Sequence, residues 1–405
     1  MLPLSLLTNT WDNILRLIST LFGVPRLISL RIRSFNKKKR IMDSGMIDEK
    51  TVRAEGFKWC QDSIGGIWSK IGPEDFVLER INGGLSNYLY LCYLSPGLKP
   101  LDNEPDRVLL RIYGHIAKTS KSFVIFNSVV FAILSEKDLG PKLYGIYSTG
   151  RLEEYIPTRP LKRTDLCKPN IIKLIAKKLA KLHSLDMPLC KEPRWLRETI
   201  CGWIKEIQNN TCTNSGHPEH KSYIRKLDSY NIEDEFNAMI NICSKVESPV
   251  VFCHNDLQEG NVLHMAGSED PSRELTVIDW EYCSYNYRGF DIGNHFCEWA
   301  YGYENPNAPF FSYTAEGYPS REQQYSFFKE YLKASGECDI YDKDLQALYV
   351  EVNTYALASH FYWAIWAIIQ AKTSVIEFGY WEYAMSRLER YFELKEKLLH
   401  NKHLL

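Results

Sequence analysis

The amino-acid sequence predicts an α+β protein of two lobes, in which a small β-rich lobe is followed by a larger, mainly α-helical lobe. The first observation is the length of 405 residues, which is more than one ordinary domain needs. The second is a change of pattern along the chain, from short apolar runs separated by glycine turns to long stretches with helical periodicity. The third is the composition: with 45% hydrophobic and 24% charged residues, the chain can form a core and is not intrinsically disordered.

Net charge and cysteine content restrict the class of function. Lys and Arg number 49 against 50 Asp and Glu, a formal net charge of −1, so the sequence predicts no nucleic-acid partner. The 11 cysteines form no CxxC pair and no Cys/His cluster with metal-ligand spacing, which indicates free thiols in a reducing compartment. No uninterrupted apolar run approaches the roughly 20 residues of a membrane span. We therefore expect a soluble, cytoplasmic protein.

Residues 1–45 differ from the rest of the chain and are expected to be a poorly ordered, basic, amphipathic extension. Up to residue 40, the single acid Asp12 stands against eight basic residues, which are Arg16, Arg26, Arg31, Arg33, Lys37, Lys38, Lys39 and Arg40. Apolar residues lie between these charges, so weak contact with an anionic membrane and a transit peptide are both open alternatives.

The first lobe is predicted to span residues 46–156. Three strand-like runs (DFVLERI, NYLYLCYL and RVLLRIY) are separated by turn-forming segments, and the first turn contains Gly83 and Gly84. Apolar residues at helical spacing then predict a helix over residues 122–139, and KLYGIYS predicts a further strand. The run RLEEYIP, at residues 151–157, is interpreted as an extended hinge between the lobes.

The second lobe, residues 157–405, is predicted to be mainly helical. Apolar periodicity indicates a helix around residues 171–182, and longer helical patterns follow at residues 232–246, 320–335, 345–371 and 380–399. Short β-like runs lie between these helices, at PVVFC, NVLH and ELTVIDW. We expect these runs to hold polar loops in place.

The clearest chemical signal is VVFCHNDLQEGNVLH, which places Asp256 and Asn261 five residues apart between two apolar runs. His254, Asp256 and Asn261 fit their positions in the protein-kinase pattern H-R-D-x-x-x-x-N, in which the Asp is a base and the Asn binds Mg²⁺. A second carboxylate, Asp279, ends the run LTVIDW 23 residues later. Phosphoryl transfer needs such a pair, because one acid orients the nucleophile and another anchors the metal. The alternative is an ordinary turn with Asp279 as a helix cap.

A nucleotide site is predicted in the first lobe. The turn residues Gly83, Gly84, Ser86 and Asn87 could present donors to phosphate, although an ordinary hairpin turn is the alternative. Arg111, in VLLRIY, takes the position where protein kinases carry the β3 Lys. It would contact phosphate and pair with Glu136, unless it is an edge-strand residue in solvent.

These motifs together resemble the choline/ethanolamine kinase family. The resemblance is carried by HNDLQEGN, by IDWEYCSYNYRGFDIGNHFCEW, by ALASHFYWAIWAIIQAK and by IEFGYWEYA, and it extends over about residues 54–399. It implies a eukaryotic protein-kinase-like fold, ATP as co-substrate, Mg²⁺ as cofactor and a homodimer. It also implies roles for named residues: Asp256 as catalytic base, Asn261 and Asp279 as Mg²⁺ ligands, Arg111 as a phosphate contact, and the stretch from Glu154 to Ile156 as the adenine-binding hinge.

An aromatic pocket for the substrate follows from the same resemblance. A quaternary ammonium has no N–H to donate, so aromatic faces with a nearby carboxylate bind it best. The residues that match the family's choline pocket are Tyr282, Glu298, Tyr303, Trp363, Trp366, Phe378 and Tyr383. Core packing is the alternative for the aromatic residues. Asp291 is expected to fix the catalytic loop as a scaffold carboxylate.

The form YNYRGFDIGNHFCEW favours the choline branch of the family over the ethanolamine branch. The expected function is therefore ATP- and Mg²⁺-dependent phosphorylation of choline to phosphocholine, at the start of phosphatidylcholine synthesis. An ethanolamine or dual-specificity kinase is the near alternative. An antibiotic-type kinase and a non-catalytic membrane-surface protein are more distant ones. One residue departs from the family pattern: Trp280 follows the metal-binding Asp where Phe is usual.

Overall fold

The computed structural model describes residues 48–81, 87–101, 104–113, 121–147, 149–209, 220–265, 268, 273–374 and 376–400. Three segments outside these residues are the basic extension, residues 210–219, and the turn that contains Gly83, Gly84 and Ser86. No helix within the described ranges is both long and apolar enough to cross a membrane.

The described chain divides into two compact units. The first contains the residues up to Arg159 together with Met265–Trp280, and the second contains Pro160–His264 and the residues from Glu281 onward. The first is rich in strands and the second in helices, so the predicted α+β class is confirmed. Residues 265–280 group with the first unit, whereas the sequence assigned them to the second lobe. The lobe boundaries drawn from the sequence stay predictions.

The first unit is built on a five-stranded antiparallel sheet of order β1-β2-β3-β5-β4. Its strands are β1 (Phe76–Ile81), β2 (Asn87–Leu94), β3 (Arg107–Tyr113), β4 (Leu143–Tyr147) and β5 (Gly150–Glu154). Helix α1 (Glu49–Ser63) precedes the sheet, α2 (Lys121–Glu136) connects β3 to β4, and β9 (Leu275–Val277) also belongs to this unit.

Alternation of apolar and polar residues explains the sheet. Buried Val108, Leu110 and Ile112 of β3 join Trp59 and Phe76 in one hydrophobic cluster. The run at residues 151–157, interpreted from the sequence as a hinge, begins inside the sheet, because β5 pairs with both β3 and β4. The first four residues of β5 are all buried, and the charged residues Arg151 and Glu153 among them hide this in the sequence.

The second unit contains nine described helices and several short strands. The helices are α3 (Arg163–Leu166), α4 (Pro169–His183), α5 (Trp195–Asn209), α6 (His220–Asp228), α7 (Ile232–Cys243), α8 (Arg288–Glu298), α9 (Arg321–Ala334), α10 (Asp342–Thr373) and α11 (Tyr380–His400). The strands around or within it are β6 (Arg159–Pro160), β7 (Val250–Cys253), β8 (Val262–His264), β10 (Ser284–Tyr287), β11 (Tyr301–Gly302) and β12 (Ser312–Tyr313). The four long helical patterns of the sequence correspond to α7, α9, α10 and α11.

Helix α10 is the axis of the second unit. It is apolar around most of its circumference, as expected of a helix surrounded by others, and it packs against α8 and α11. The α8–α10 approach is close at Gly293, where an added Cβ would lie 2.8 Å from the Val352 carbonyl oxygen. Antiparallel pairing of β7 with β10, which leads directly into α8, then fixes the loop after Cys253 beside α8.

Candidate active site

The loop after β7 carries the predicted base. Asp256 is half-buried, and Asn261 ends a short 3₁₀ turn that begins at Glu259. The Asn261 Nδ2 donates to the Asp256 backbone oxygen at 2.8 Å and to Asp256 Oδ2 at 3.0 Å. The five-residue spacing therefore lets the amide hold the carboxylate in one orientation.

Asp291, on α8, anchors this loop. Its carboxylate is fully buried and accepts hydrogen bonds from the backbone N–H of His254 at 2.9 Å and of Asn255 at 2.7 Å. The His183 Nε2 on α4 lies 2.9 Å from the same carboxylate. Burial raises the pKa of Asp291, but the interactions with His183 and then His254 outweigh it and hold the pKa below its ordinary value. The geometry is that of a scaffold carboxylate, as the sequence predicted.

Asn255 links the loop after β7 to the segment that contains Tyr282 and Ser284. Its backbone φ of 67° lies in the left-handed region, which non-glycine residues seldom adopt. Its side-chain Nδ2 donates to the Tyr282 carbonyl oxygen and to Ser284 Oγ, both at 2.8 Å, and its Oδ1 accepts from Asn286 at 2.9 Å. The base-bearing loop and the segment that carries Tyr282 are thus joined by one buried amide.

His295 supports the loop from α8. Its Nδ1 lies 2.9 Å from the Leu257 carbonyl oxygen, and its Nε2 accepts from Trp299 Nε1 at 3.2 Å. Both contacts together fit the neutral ring with its proton on Nδ1, because a protonated Nε2 would oppose the indole N–H. Burial lowers the pKa of His295 to about 4, against the opposing effects of the Leu257 hydrogen bond and the Asp291 charge.

Glu259 is a buried acid of the same loop that the sequence did not single out. Its side chain is 5% exposed, and no described residue forms a hydrogen bond with its Oε2. Burial, followed by the negative charge of Glu298, raises the pKa of Glu259 to about 8. Near neutral pH this carboxyl is therefore largely protonated, which limits the negative charge of the loop.

The tryptophans and Tyr282 form one half of an aromatic array. The ring centroids of Tyr282 and Trp363 are 5.4 Å apart, and those of Trp363 and Trp366 are 5.3 Å apart, both edge-to-face. The Trp366 indole donates to the Tyr282 hydroxyl at 3.0 Å, and the Trp363 indole donates to Asn294 Oδ1 at 2.7 Å. Trp366 is half-buried, so part of its ring faces away from the core.

Phe378, Tyr303 and Tyr383 form the other half. The Phe378 ring centroid lies 6.5 Å from that of Tyr303 and 5.7 Å from that of Tyr383. Tyr380, which the sequence did not assign to the pocket, joins the halves, because its centroid lies 5.9 Å from Trp366 and 5.0 Å from Phe378. The structure therefore brings all six predicted aromatic residues into one continuous array.

The predicted pocket acid, Glu298, ends α8 and is 2% exposed. It forms an ion pair with Arg387 of α11, and its Oε2 accepts from the Tyr303 hydroxyl at 2.8 Å. Sequence reasoning missed Arg387. The available signal was its spacing, one helical turn after Tyr383, which places both residues on one helix face.

The first unit holds the predicted phosphate contact in a charged cluster. Arg111 is 7% exposed, so it is not the solvent-exposed edge residue of the alternative interpretation. Its Nε lies 3.2 Å from Glu153 Oε1, and Arg151 Nε lies 2.7 Å from Glu153 Oε2. Burial raises the pKa of Glu153, but Arg151 and then Arg111 hold it below its ordinary value. Glu153 was missed in the sequence, and the pairing of Arg111 with Glu136 stays a prediction.

The other described residues of the predicted site that belong to this unit differ in burial. Glu154 accepts from the Lys142 backbone N–H at 3.0 Å and pairs with Arg273 at 2.6 Å, while Ile156 is buried. Asn87 opens β2 opposite Tyr113. Asp279 is half-buried and has a left-handed φ of 63°, a strained conformation that is concentrated at functional sites. The neighbouring Trp280 is buried.

Comparison with known proteins agrees with this arrangement. A family model described as choline/ethanolamine kinase matches residues 78–392. The chain is 45% identical over 354 residues to a human protein named choline/ethanolamine kinase, covering 86% of this chain and 88% of the relative. It is 42% identical over 377 residues to mouse choline kinase alpha, covering 86% and 82%. A solved structure of choline kinase from Cryptosporidium parvum Iowa II has a TM-score of 0.68 at 26% identity, covering 88% of this chain and 98% of that one.

Proposed function

Because the chain belongs to the choline/ethanolamine kinase family, we propose that it transfers the γ-phosphoryl group of ATP to the hydroxyl of choline. The observation that carries the proposal is the Asp256–Asn261 pair, whose loop is tied through Asn255 to Tyr282 of the aromatic array. These contacts support a base and a surface for a quaternary ammonium in neighbouring parts of the second unit.

Asp256 is proposed as the general base. In the reaction, the choline oxygen forms a bond to the γ-phosphorus, the bond between that phosphorus and the ADP oxygen breaks, and the hydroxyl proton passes to the Asp256 carboxylate. The hydrogen bond from Asn261 keeps one carboxylate oxygen occupied. This hydrogen bond fixes the orientation in which the carboxylate would meet the substrate hydroxyl.

Asn261 and Asp279 are proposed to hold Mg²⁺. Their side chains supply an amide oxygen and a carboxylate oxygen, which are the hard ligands that Mg²⁺ prefers, so the donor set fits the ion. When bound, Mg²⁺ would neutralise charge on the transferring phosphate. The Asn261 amide nitrogen already donates to Asp256, which leaves its oxygen for the metal.

For ATP, we propose contacts from the first unit. Arg111 would bind phosphate while Glu153 holds its guanidinium in place, which is consistent with the buried Arg111–Glu153–Arg151 cluster. The remaining proposed contacts are Gly83, Gly84, Ser86 and Asn87 for phosphate and the stretch containing Glu154 and Ile156 for adenine.

The array of Tyr282, Trp363, Trp366 and Phe378 supports choline as the preferred amine, since a trimethylammonium group gains binding energy from each aromatic face it touches.

We further propose a cytoplasmic homodimer whose product, phosphocholine, feeds phosphatidylcholine synthesis. Every cysteine in the described ranges is a free thiol, which supports a reducing compartment.

The direct test is an assay of ADP release and amine phosphorylation by the purified full chain with choline, with ethanolamine and without acceptor. We expect choline-dependent turnover that requires Mg²⁺, together with loss of that turnover in Asp256→Asn, which keeps the side-chain shape but removes the base. Equal turnover in Asp256→Asn and the unmodified chain would refute the assignment. If the protein phosphorylated only ethanolamine, the proposed substrate would be wrong and the proposed kinase activity would be supported.

A further inference from the structure

Four side chains form a closed hydrogen-bonded ring beside the aromatic array. Arg387 forms an ion pair with Glu298, and its Nε and Nη2 lie 3.0 and 2.6 Å from the Tyr383 hydroxyl. The Tyr383 and Tyr303 hydroxyls are 2.9 Å apart, and the Tyr303 hydroxyl lies 2.8 Å from Glu298 Oε2. We call these four residues the carboxylate ring.

The donors in the carboxylate ring can be assigned from chemistry. A guanidinium only donates and a carboxylate only accepts, so Tyr303 gives its single hydroxyl proton to Glu298. Tyr383 accepts from Arg387 and gives its own proton to Tyr303. Burial raises the pKa of both tyrosines, so both hydroxyls keep the proton that this direction requires. Each Glu298 oxygen therefore already has a donor from within the protein.

The guanidinium of Arg387 is held firmly enough to keep the ring closed. It is fully buried, and its central carbon lies 3.8 Å from the centroid of the Tyr301 ring. Its Nη1 lies 3.5 Å from the His360 Nδ1. Burial, and then the charge of Arg387, lowers the pKa of His360, so its ring stays neutral. The Nδ1 atom can then accept the hydrogen bond from Arg387. Arg387 thus offsets much of the negative charge of Glu298.

We infer that the carboxylate ring sets the amine preference of this site, because Glu298, which has an internal donor on each oxygen, still attracts a quaternary ammonium but is a poor hydrogen-bond acceptor for a primary one. A trimethylammonium group needs no acceptor and takes its binding energy from aromatic faces and a diffuse field. A primary ammonium has three N–H groups, and each one that loses water without finding an acceptor costs affinity. The inference rests on the proposed amine kinase activity.

The experiment compares Tyr303→Phe with the unmodified chain on ethanolamine, its N-methyl and N,N-dimethyl derivatives, and choline. Tyr303→Phe keeps the aromatic face but removes the donor on Glu298 Oε2, so this oxygen becomes free to accept from the substrate. We expect kcat/KM for ethanolamine to rise roughly three- to tenfold relative to that for choline, mostly through KM. The gain should shrink with each added methyl group, because each methyl removes one N–H donor.

Tyr301→Phe is the matched control. Tyr301 is an aromatic neighbour of Arg387, but its hydroxyl contacts Ser386 Oγ at 3.0 Å and not Glu298, so its loss should leave the amine ratio unchanged. A change in Tyr303→Phe that is equal for all four amines, or an equal shift in Tyr301→Phe, would overturn the inference. If the unmodified chain phosphorylates none of the amines, the proposed function itself fails, which is a separate result.

Discussion

At the scale of single residues, His295 links the stability of the protein to pH. Its neutral ring fits between the Leu257 carbonyl and the Trp299 indole, and burial lowers its pKa to about 4 from an ordinary 6.5. Because the folded-state pKa is the lower one, the unfolded chain binds the proton first as the pH falls. The stabilising effect of the neutral ring is therefore complete above about pH 6.5 and is lost progressively toward pH 4.

We predict that His295 alone lowers the free energy of unfolding by about 3 kcal/mol between pH 6.5 and pH 4. Urea unfolding followed by tryptophan fluorescence measures this quantity across the range. His295→Gln can still donate to the Leu257 oxygen but cannot take up a proton, so its stability should fall less steeply with acid. If the free energy of unfolding fell equally with pH in the unmodified protein and in His295→Gln, the assignment of a neutral His295 would be wrong.

A second residue-scale prediction concerns Trp366. Trp366→Ala removes one half-exposed ring of the array, so kcat/KM for choline should fall by roughly one to two powers of ten while the KM for ATP barely changes. Ethanolamine should be affected less, because it depends less on aromatic faces. The measurement is the ratio of the two amine activities.

Trp203→Ala is the control for Trp366, since Trp203 packs on Tyr362 in the core with a centroid separation of 5.0 Å and lies outside the array. It should lower the melting temperature without moving the amine ratio. An equal loss for both amines in Trp366→Ala, with a lowered melting temperature, would mean that Trp366 only fills the core.

Residues with a local motif could be predicted from the sequence, whereas residues defined by a distant partner could not. Asp256 and Asn261 are five positions apart, and their hydrogen bond follows from that spacing. Arg387 meets Glu298 across 89 positions, and His183 meets Asp291 across 108. The spacing from Tyr383 places Arg387 on a helix face, but nothing in the chain around Arg387 or His183 identifies the distant partner, because these contacts are set by the packing of α11 on α10 and of α4 beside β7.

At the scale of elements, the contact between α8 and α10 depends on a glycine. An added Cβ at Gly293 would lie 2.8 Å from the Val352 oxygen and 2.9 Å from the Ala356 nitrogen, and both atoms are backbone. Neither can move without displacing a helix. Asp291, His295 and Glu298 all lie on α8, so a displaced α8 would disturb both the loop that carries Asp256 and the Glu298 carboxylate.

We predict that Gly293→Ala destabilises the protein by about 1–3 kcal/mol and lowers kcat. The matched variant is Gly202→Ala on α5, where nothing lies within 4 Å of the added Cβ. There the substitution should stabilise by about 0.5–1 kcal/mol, because alanine has the higher helix propensity. Thermal unfolding of both variants, with an activity assay, tests the pair. If Gly293→Ala changed neither the stability nor kcat, α8 and α10 would have room to separate.

Element types were predictable where periodicity was strong. The strands β1, β2 and β3 and the helices α7, α9, α10 and α11 match their patterns to within a few residues. The run at residues 151–157 was interpreted as a hinge, although Gly150–Glu154 forms β5. Glu153 makes the run look polar in the sequence, although its side chain is buried in the structure. An acid can be buried at this position because it pairs with Arg151 and Arg111.

At the scale of the whole molecule, residues 1–40 contain none of the motifs, and the family match begins at residue 78. We predict that a chain lacking residues 1–40 keeps its melting temperature and its kcat for choline. Vesicle sedimentation with and without anionic lipid provides the second measurement, because a basic amphipathic segment would lose binding on deletion. Loss of folding would instead show that the segment packs on the rest of the protein.

The position of α10 restricts how the substrate preference of this protein can diverge. The helix supplies Trp363 and Trp366 and is also the axis on which α8 and α11 pack, so a change on its buried faces alters folding and recognition together. Tyr303 and Phe378 lie in connecting segments instead, outside the helices. Descendants selected for a different amine should therefore vary first at such connecting positions, and the tryptophan-bearing helix should be among the slowest parts of the chain to change.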